Sequence, residues 1–423
     1  MNVIYNLAVN AIDGSLRLYA RFLGKNNTGK FSRFLKGRRR LNALVAGEMS
    51  QCDRRSTVIW VHAASLGEYG VARPLIERFR RESGDDCTIV FTFFSPSGYE
   101  ALAGNHPGID HLFYLPIDTR HNARRFLNAV RPDRAVFIIS ELWPNFLQSL
   151  KDRGIPTYLV SALIRDNSPF FRWYGRTFRK ALTAFNHVYV LNEESRFNLK
   201  MLGYEGAELN GDPLFDNAAL VASTEWSDPA IEEFSRGHRV FMSGSVSDDR
   251  DAELTAAVIK ASDDGVRHVV VPHDLNAKAI ARITSRIDRP WILYSQIRDG
   301  KVPDDTRIII MDCVGKLAYL YRYATVAYVG GGFTPLLHSV IEATVYGVPV
   351  AFGPCIERKV TPLQLIELGI GRMVRTPEEL QQWTAEMLGD AEKLADVRRK
   401  ALDYVNKNTG NTGRIVKTIL AGR

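Results

Sequence analysis

The chain alternates runs that read as buried strands with runs that read as amphipathic helices. That alternation restricts it to α/β architectures with parallel sheets covered by helices on both faces. In the first half, Thr57–Ala64, Cys87–Phe94, Asp110–Leu115, Arg134–Ile139, Pro156–Ser161 and His187–Leu191 read as strands. They are short β-branched and aromatic runs bounded by turn residues, as strands buried on both faces require. Helical patterns such as His121–Val130 and Pro144–Arg153 lie between them. A polar, acid-rich stretch at Ser223–Gly237 reads as the link to a second set of strands: Arg239–Ser243, His268–Val271, Trp291–Tyr294, Arg307–Met311, Thr325–Val329 and Val348–Phe352. With 423 residues the chain exceeds one ordinary core, and two domains are expected.

Ligands of such sheets bind beyond the carboxyl ends of the strands, and small polar residues gather there. Ser65, Gly67 and Glu68 follow the first run, Ser95 and Ser97 the second, and Glu141 and Arg165 lie beyond the fourth and fifth. In the second half Ser245, His273 and Gly315 close strands, followed by Gly330, Gly331, Gly332, His338 and Glu342 after Val329. Glycines let backbone approach a ligand, and Pro335 suits the first turn of a helix. The spacing predicts a helix from Pro335 that places His338 and Glu342 on one face, its amino terminus open to phosphate and its carboxylate open to a ribose diol. The same pattern also fits a strand-to-helix turn with an incidental acid. Ser65-x-x-Glu68 likewise has two readings: a capping box, in which the acid returns to the cap's N–H, or a shielded general base for an alcohol.

Composition separates the partners. The net charge of +8 is matched by residues 1–40 alone, which hold nine basic side chains against the single acid Asp13. A neutral body with a basic amino-terminal arm fits an anionic membrane surface, not a nucleic-acid groove. Asn2, Asn6, Asn10, Asp13, Arg17 and Arg21 form one stripe of a helix whose remaining positions are largely apolar. A polar group at every turn argues against a stable bilayer span, and an interfacial helix or a packed first helix remains. The four cysteines are widely spaced without CxxC, so neither a zinc site nor a disulfide framework is indicated. The organisation expected is 1–40 as a membrane-associating segment, 41–222 and 223–390 as Rossmann-like domains, and 391–423 as a helical tail.

With Ser65-Leu-Gly-Glu68, Phe93-Phe-Ser-Pro-Ser-Gly-Tyr-Glu100, Glu141-Leu-Trp-Pro-Asn145, Gly211-Asp-Pro-Leu-Phe-Asp216 and the Gly330–Glu342 and Gly347–Pro354 runs in that order, the chain resembles the 3-deoxy-D-manno-octulosonic acid (Kdo) transferases of lipopolysaccharide assembly. The resemblance implies a GT-B fold, two Rossmann-like domains with parallel sheets facing a cleft. It implies CMP-Kdo as donor, a lipid A precursor (lipid IVA) as acceptor, and no cofactor or required metal. It also implies a place on the cytoplasmic face of the inner membrane of a Gram-negative bacterium, peripheral or monotopic. Glu68 would be the base, Glu141 a second cleft acid, and Gly315, Gly331, Gly332 and Glu342 the holders of CMP. Ser339, Leu214, Lys316 and Pro272-His273-Asp274 depart from the family's usual residues. A uridine-nucleotide glycosyltransferase or sugar epimerase, and a non-catalytic membrane-surface nucleotide-binding protein, are the alternatives. A dehydrogenase lacks its GxGxxG.

Overall fold

The computed structural model describes residues 3–22, 29–38, 40–52, 56–139, 142–172, 175–357 and 359–422. It divides into two compact units, residues 1–217 with 410–423, and residues 218–409. Each unit contains one seven-stranded sheet, and every pairing within the two sheets is parallel.

In the first unit the strands are β1 (Thr57–Ala63), β2 (Cys87–Phe93), β3 (His111–Tyr114), β4 (Arg134–Ile138), β5 (Thr157–Ala162), β6 (His187–Val190) and β7 (Ala207–Leu209), in the order β3-β2-β1-β4-β5-β6-β7. Alternate residues of β1 enter opposite cores, as the period of two dictates. Val58 and Trp60 join Phe126, Phe137 and Phe146 on one face, with Leu41, Val45 and Met49 from the Leu41–Ser50 helix. Ile59, Val61 and Ala63 join Val71, Leu75 and Phe79 on the other. The last helix, Asn411–Leu420, contributes Ile415, Val416 and Ile419 to that second face, so the carboxyl terminus completes the first unit.

In the second unit β8 (Arg239–Val246), β9 (Val266–Pro272), β10 (Trp291–Leu293), β11 (Ile308–Ile310), β12 (Val326–Val329), β13 (Val350–Phe352) and β14 (Gly371–Met373) take the order β10-β11-β9-β8-β12-β13-β14. All twelve strand readings correspond to strands. Edge strands β7 and β14 went unread: each has three residues, none fully buried, so neither makes an apolar run.

Two sequence readings change. The Ser223–Gly237 stretch contains a helix, Pro229–Ser235, begun by Asp228, whose side chain caps the amide of Ile231. The helix expected from Pro335 does not form. A turn covers 332–336, and the helix is the four residues Ile341–Thr344, so His338 lies outside it. With that, the open helix amino terminus offered for phosphate disappears.

The amino-terminal helix, Val3–Phe22, is amphipathic in an inverted sense. Its partly buried residues include Tyr5, Asn6, Asp13 and Leu16, while Val3, Ile4, Leu7, Ile12, Leu18 and Tyr19 are exposed. Polar bonds hold it down: Tyr5 OH donates to Asp118 Oδ2 at 2.6 Å and Arg17 Nη2 to Asn122 Oδ1 at 3.1 Å. Arg38 is not part of a solvent-facing basic arm. Its guanidinium lies 3.9 Å from the Phe34 ring centroid and donates to the carbonyls of Leu115 and Phe94. Burial lowers its pKa to about 10. No helix among the described residues is long and apolar enough to cross a membrane.

Candidate functional site

In the first unit, the loops after β1 and β2 meet. Ser95 N donates to Ala64 O at 2.8 Å, and Ser95 Oγ lies 2.7 Å from Ser97 Oγ. Ser65 begins the Leu66–Ser83 helix without a side-chain cap bond, so the full capping box does not form. Glu68 nevertheless turns back: Ala64 N donates to Glu68 Oε2 at 2.5 Å. The carboxylate is thereby fixed at the carboxyl end of β1 while remaining partly exposed. A Cβ at Gly67 would meet nothing nearer than Ser65 Oγ at 3.9 Å, so packing does not impose glycine there. Arg165 lies beyond β5, two strands over, with its amide held by Ser168 Oγ at 3.1 Å. Glu141 falls outside the described residues.

Backbone strain marks the same end of this sheet. Ile139, just past β4, has φ of 63° and Ser161 in β5 has φ of 62°. A β-branched residue in the left-handed region is unfavourable, by roughly 1–3 kcal/mol. Neither residue type announces that conformation, so the sequence carried no signal of it.

In the second unit the loops after β8, β9 and β12 converge. Ser245 has φ of 55°, and its carbonyl lies where a Cβ at Gly330 would stand, 2.3 Å away. A Cβ at Gly332 would meet Gly353 N at 2.5 Å, and one at Gly331, whose φ is 82°, would meet Leu336 O at 2.5 Å. These glycines are therefore required by the chain's own backbone, a reason different from close approach to a ligand. Gly330 N donates to Gly244 O and Gly331 N to Asp251 Oδ2, so neither amide is open to phosphate. Gly315 differs: its φ is 82° and no atom lies within 4 Å of its would-be Cβ.

The rings of His273 and His338 meet at a 33° tilt with centroids 4.4 Å apart, and His338 Nε2 lies 3.2 Å from Ser247 Oγ. Burial, reinforced by His273, lowers the pKa of His338 to about 4, so it is neutral at pH 7 and can accept or donate one hydrogen bond. Glu342 lies in the short Ile341–Thr344 helix, where Tyr321 and Tyr346 feel its charge. Burial pushes its carboxyl up to about 7. Lys316, one of the departures noted above, is bound to Asp228 at 2.7 Å and to Tyr294 OH at 2.6 Å. Asp251, not singled out from sequence, is fully buried and receives Tyr328 OH as well as the amides of Ser247 and Gly331.

Residues 36–217 match the family model described as 3-Deoxy-D-manno-octulosonic-acid transferase (kdotransferase). The chain is similar to a 3-deoxy-D-manno-octulosonic acid transferase from Haemophilus influenzae, 23% identical over 374 residues and covering 85% of each. It is also similar to a bifunctional glycosyltransferase/methyltransferase from Fusobacterium nucleatum, 24% identical over 76% of this chain. The chain spans about half the length of that relative, 51%. Among solved structures, UDP-GlcNAc 2-epimerase from Neisseria meningitidis superposes with a TM-score of 0.63 at 13% identity over 86% of this chain and 100% of that one. The calicheamicin glycosyltransferase CalG4 does so with 0.55 at 12% identity over 87% and 98%. At such identities the superpositions define the fold alone.

Two parallel Rossmann-like sheets with strand-end loops of this kind define a GT-B protein. Within that class, residues 36–217 carry the match to the 3-deoxy-D-manno-octulosonic acid transferase model, and the chain is similar to curated transferases of that name.

Proposed function

We propose that this chain transfers Kdo from CMP-Kdo to a hydroxyl of a lipid A precursor, without a metal or other cofactor. The observation that carries the reading is Glu68, held by the Ala64 amide at the carboxyl end of β1, inside the segment that matches the family. In this reading Glu68 takes the proton of the acceptor hydroxyl as its oxygen attacks the anomeric carbon of Kdo. The bond from that carbon to the CMP phosphate oxygen breaks, and CMP leaves with the electron pair. The donor bond is already activated, so the protein's task is a base, positioning and charge stabilisation on the leaving phosphate. In this reading Ser245, His273, Gly315, Gly331, Gly332, His338 and Glu342 serve the nucleotide, and Ser65, Gly67, Ser95, Ser97, Arg165 and Glu141 serve the acceptor.

The acceptor's acyl chains place the reaction at a bilayer, on the cytoplasmic face of the inner membrane of a Gram-negative cell. The outward apolar side chains of the Val3–Phe22 helix support interfacial contact at that surface. Incubation with CMP-Kdo and lipid IVA tests the reading: the expected result is CMP release coupled to a Kdo-bearing lipid, unaffected by EDTA. Stabilisation by UMP or UDP but not CMP, with no transfer, would assign the chain to a uridine-nucleotide enzyme instead.

A further inference from the structure

The helices Arg120–Val130 and Pro144–Asp152, with Lys180 of the Arg176–Leu182 helix, enclose a surface groove of about 680 Å³. Arg120, Arg124, Arg153 and Lys180 line it, and none makes an ion pair among the described residues. Its single acid among the described residues, Asp152, is turned to the amide of Gln148 at 2.7 Å, and Arg153 reaches Asn128 Oδ1 at 2.7 Å. Like charges left unpaired around one concavity repel each other, and an anion entering it would relieve that repulsion.

The groove is tied to the amino-terminal helix through one oxygen. Asp118 Oδ2 receives Tyr5 OH at 2.6 Å and also the amide of Asn145, a groove residue, at 3.0 Å. The Tyr5 ring meets the edge of Phe178, two residues before Lys180, with centroids 6.1 Å apart. Ile4 and Leu7, beside Tyr5 in sequence, are 74% and 66% exposed. An outward apolar face and a groove of unpaired cations therefore adjoin, and Asp118 fixes their register.

Taking membrane contact from the function proposed above, we infer that this groove receives the phosphate of an anionic phospholipid head group while the helix enters the bilayer surface. The two features meet the two parts of one lipid, and guanidinium forks suit phosphate oxygens. The site is distinct from the glycine loops, which lie in the other unit, and includes none of the residues assigned to donor or acceptor.

Binding of the full chain to vesicles of phosphatidylcholine alone, and of phosphatidylcholine mixed with phosphatidylglycerol, tests this. The expected result is tighter binding to the mixed vesicles. Arg124→Gln with Lys180→Gln should lose that preference by roughly tenfold or more, since each cation near anionic lipid has an effect of this order. Binding to neutral vesicles, CMP binding and turnover in detergent should be unchanged. Neutralising exposed Lys200 and Lys260 as a charge-matched control should preserve the preference. Equal loss in that control, or an unchanged preference in the Arg124/Lys180 variant, would overturn the groove. Inorganic phosphate stabilising the chain through Arg124 and Lys180, with the lipid preference intact in the variant, would assign the groove to free phosphate instead. If the unaltered chain binds neither vesicle, the membrane reading itself falls, and this inference with it.

Discussion

Asp251 Oδ2 receives the amide of Gly331 at 2.9 Å, joining the first turn of the Asp249–Ala261 helix to the glycine turn after β12. The same oxygen receives the amide of Ser247 at 2.9 Å, and Oδ1 receives Tyr328 OH at 2.7 Å. One buried side chain thus fixes the two loops that hold Ser247 and Gly331. Alanine at 251 would orphan three donors, each at about 1–3 kcal/mol. Asparagine can keep its oxygen toward the two amides and offer its NH₂ to the Tyr328 oxygen. The expected result is a large loss of thermal stability and CMP binding for Asp251→Ala and a small one for Asp251→Asn. Equal effects of both substitutions in melting and calorimetry would mean that negative charge, not hydrogen-bond geometry, sets the loops.

Glu68 separates structure from chemistry through its bond to Ala64 N. Glutamine at 68 keeps an oxygen for that amide but has no basicity. Glu68→Gln should abolish transfer while folding and CMP binding stay near those of the unaltered chain. Glu68→Ala should add a loss of about 0.5–2 kcal/mol, the usual range for a helix-terminus bond. An active Glu68→Gln enzyme would remove the residue as base and leave it a local backbone anchor.

If Glu342 holds the nucleotide as proposed, CMP binding carries a pH signature. Burial raises its carboxyl to about 7, so below that value the free protein carries it protonated. Ribose hydroxyls donate best to the ionised form, so CMP binding there would release a proton. Affinity should fall as pH drops from 8 to 6, approaching about tenfold per unit well below the pKa. For folding the sign is opposite. A raised folded pKa favours the protonated native state, so this contribution is full below the ordinary value of 4.5 and is lost as pH rises through about 7. Glu342→Gln should weaken CMP binding, flatten its pH dependence and raise the melting temperature at pH 8. A pH dependence that survives the substitution in calorimetry would locate the titrating group elsewhere.

The parallel sheets were legible because strands buried on both faces must be apolar without interruption, as Trp60 and Val61 illustrate on opposite faces of β1. β7 and β14 were not, since short edge strands bury too little to leave a pattern. The glycine triplet was legible as a turn, but its reason was not. That Gly330 is needed against the Ser245 carbonyl, and Gly332 against Gly353, depends on residues far away in sequence. The spacing of His338 and Glu342 suggests one helix, but the chain turns at 332–336 and the helix begins only at Ile341, so it holds Glu342 and not His338. The positive charge of Arg38 suggested lipid contact, whereas its surroundings of Phe34, Phe94 and Tyr114 make it part of the packing.

The amino-terminal helix turns its partly buried Asn6 and Asp13 toward the domain and exposes Ile4 and Leu7. If this face enters a bilayer surface, Ile4→Ser with Leu7→Ser removes apolar burial that exists only on the membrane. Two such side chains, at about 1.5–3 kcal/mol each for complete burial, should weaken vesicle binding by roughly a hundredfold or more. Stability in detergent should hardly change, because the two side chains are 74% and 66% exposed. Arg38→Ala should do the reverse. Loss of its bonds to the Leu115 and Phe94 carbonyls and its contacts with three rings should lower the melting temperature. Affinity for vesicles in the fraction that remains folded should be retained. Sedimentation with vesicles and melting curves on the same samples separate these effects. An Ile4/Leu7 variant that sediments like the unaltered chain would show that the exposed face does not enter the membrane.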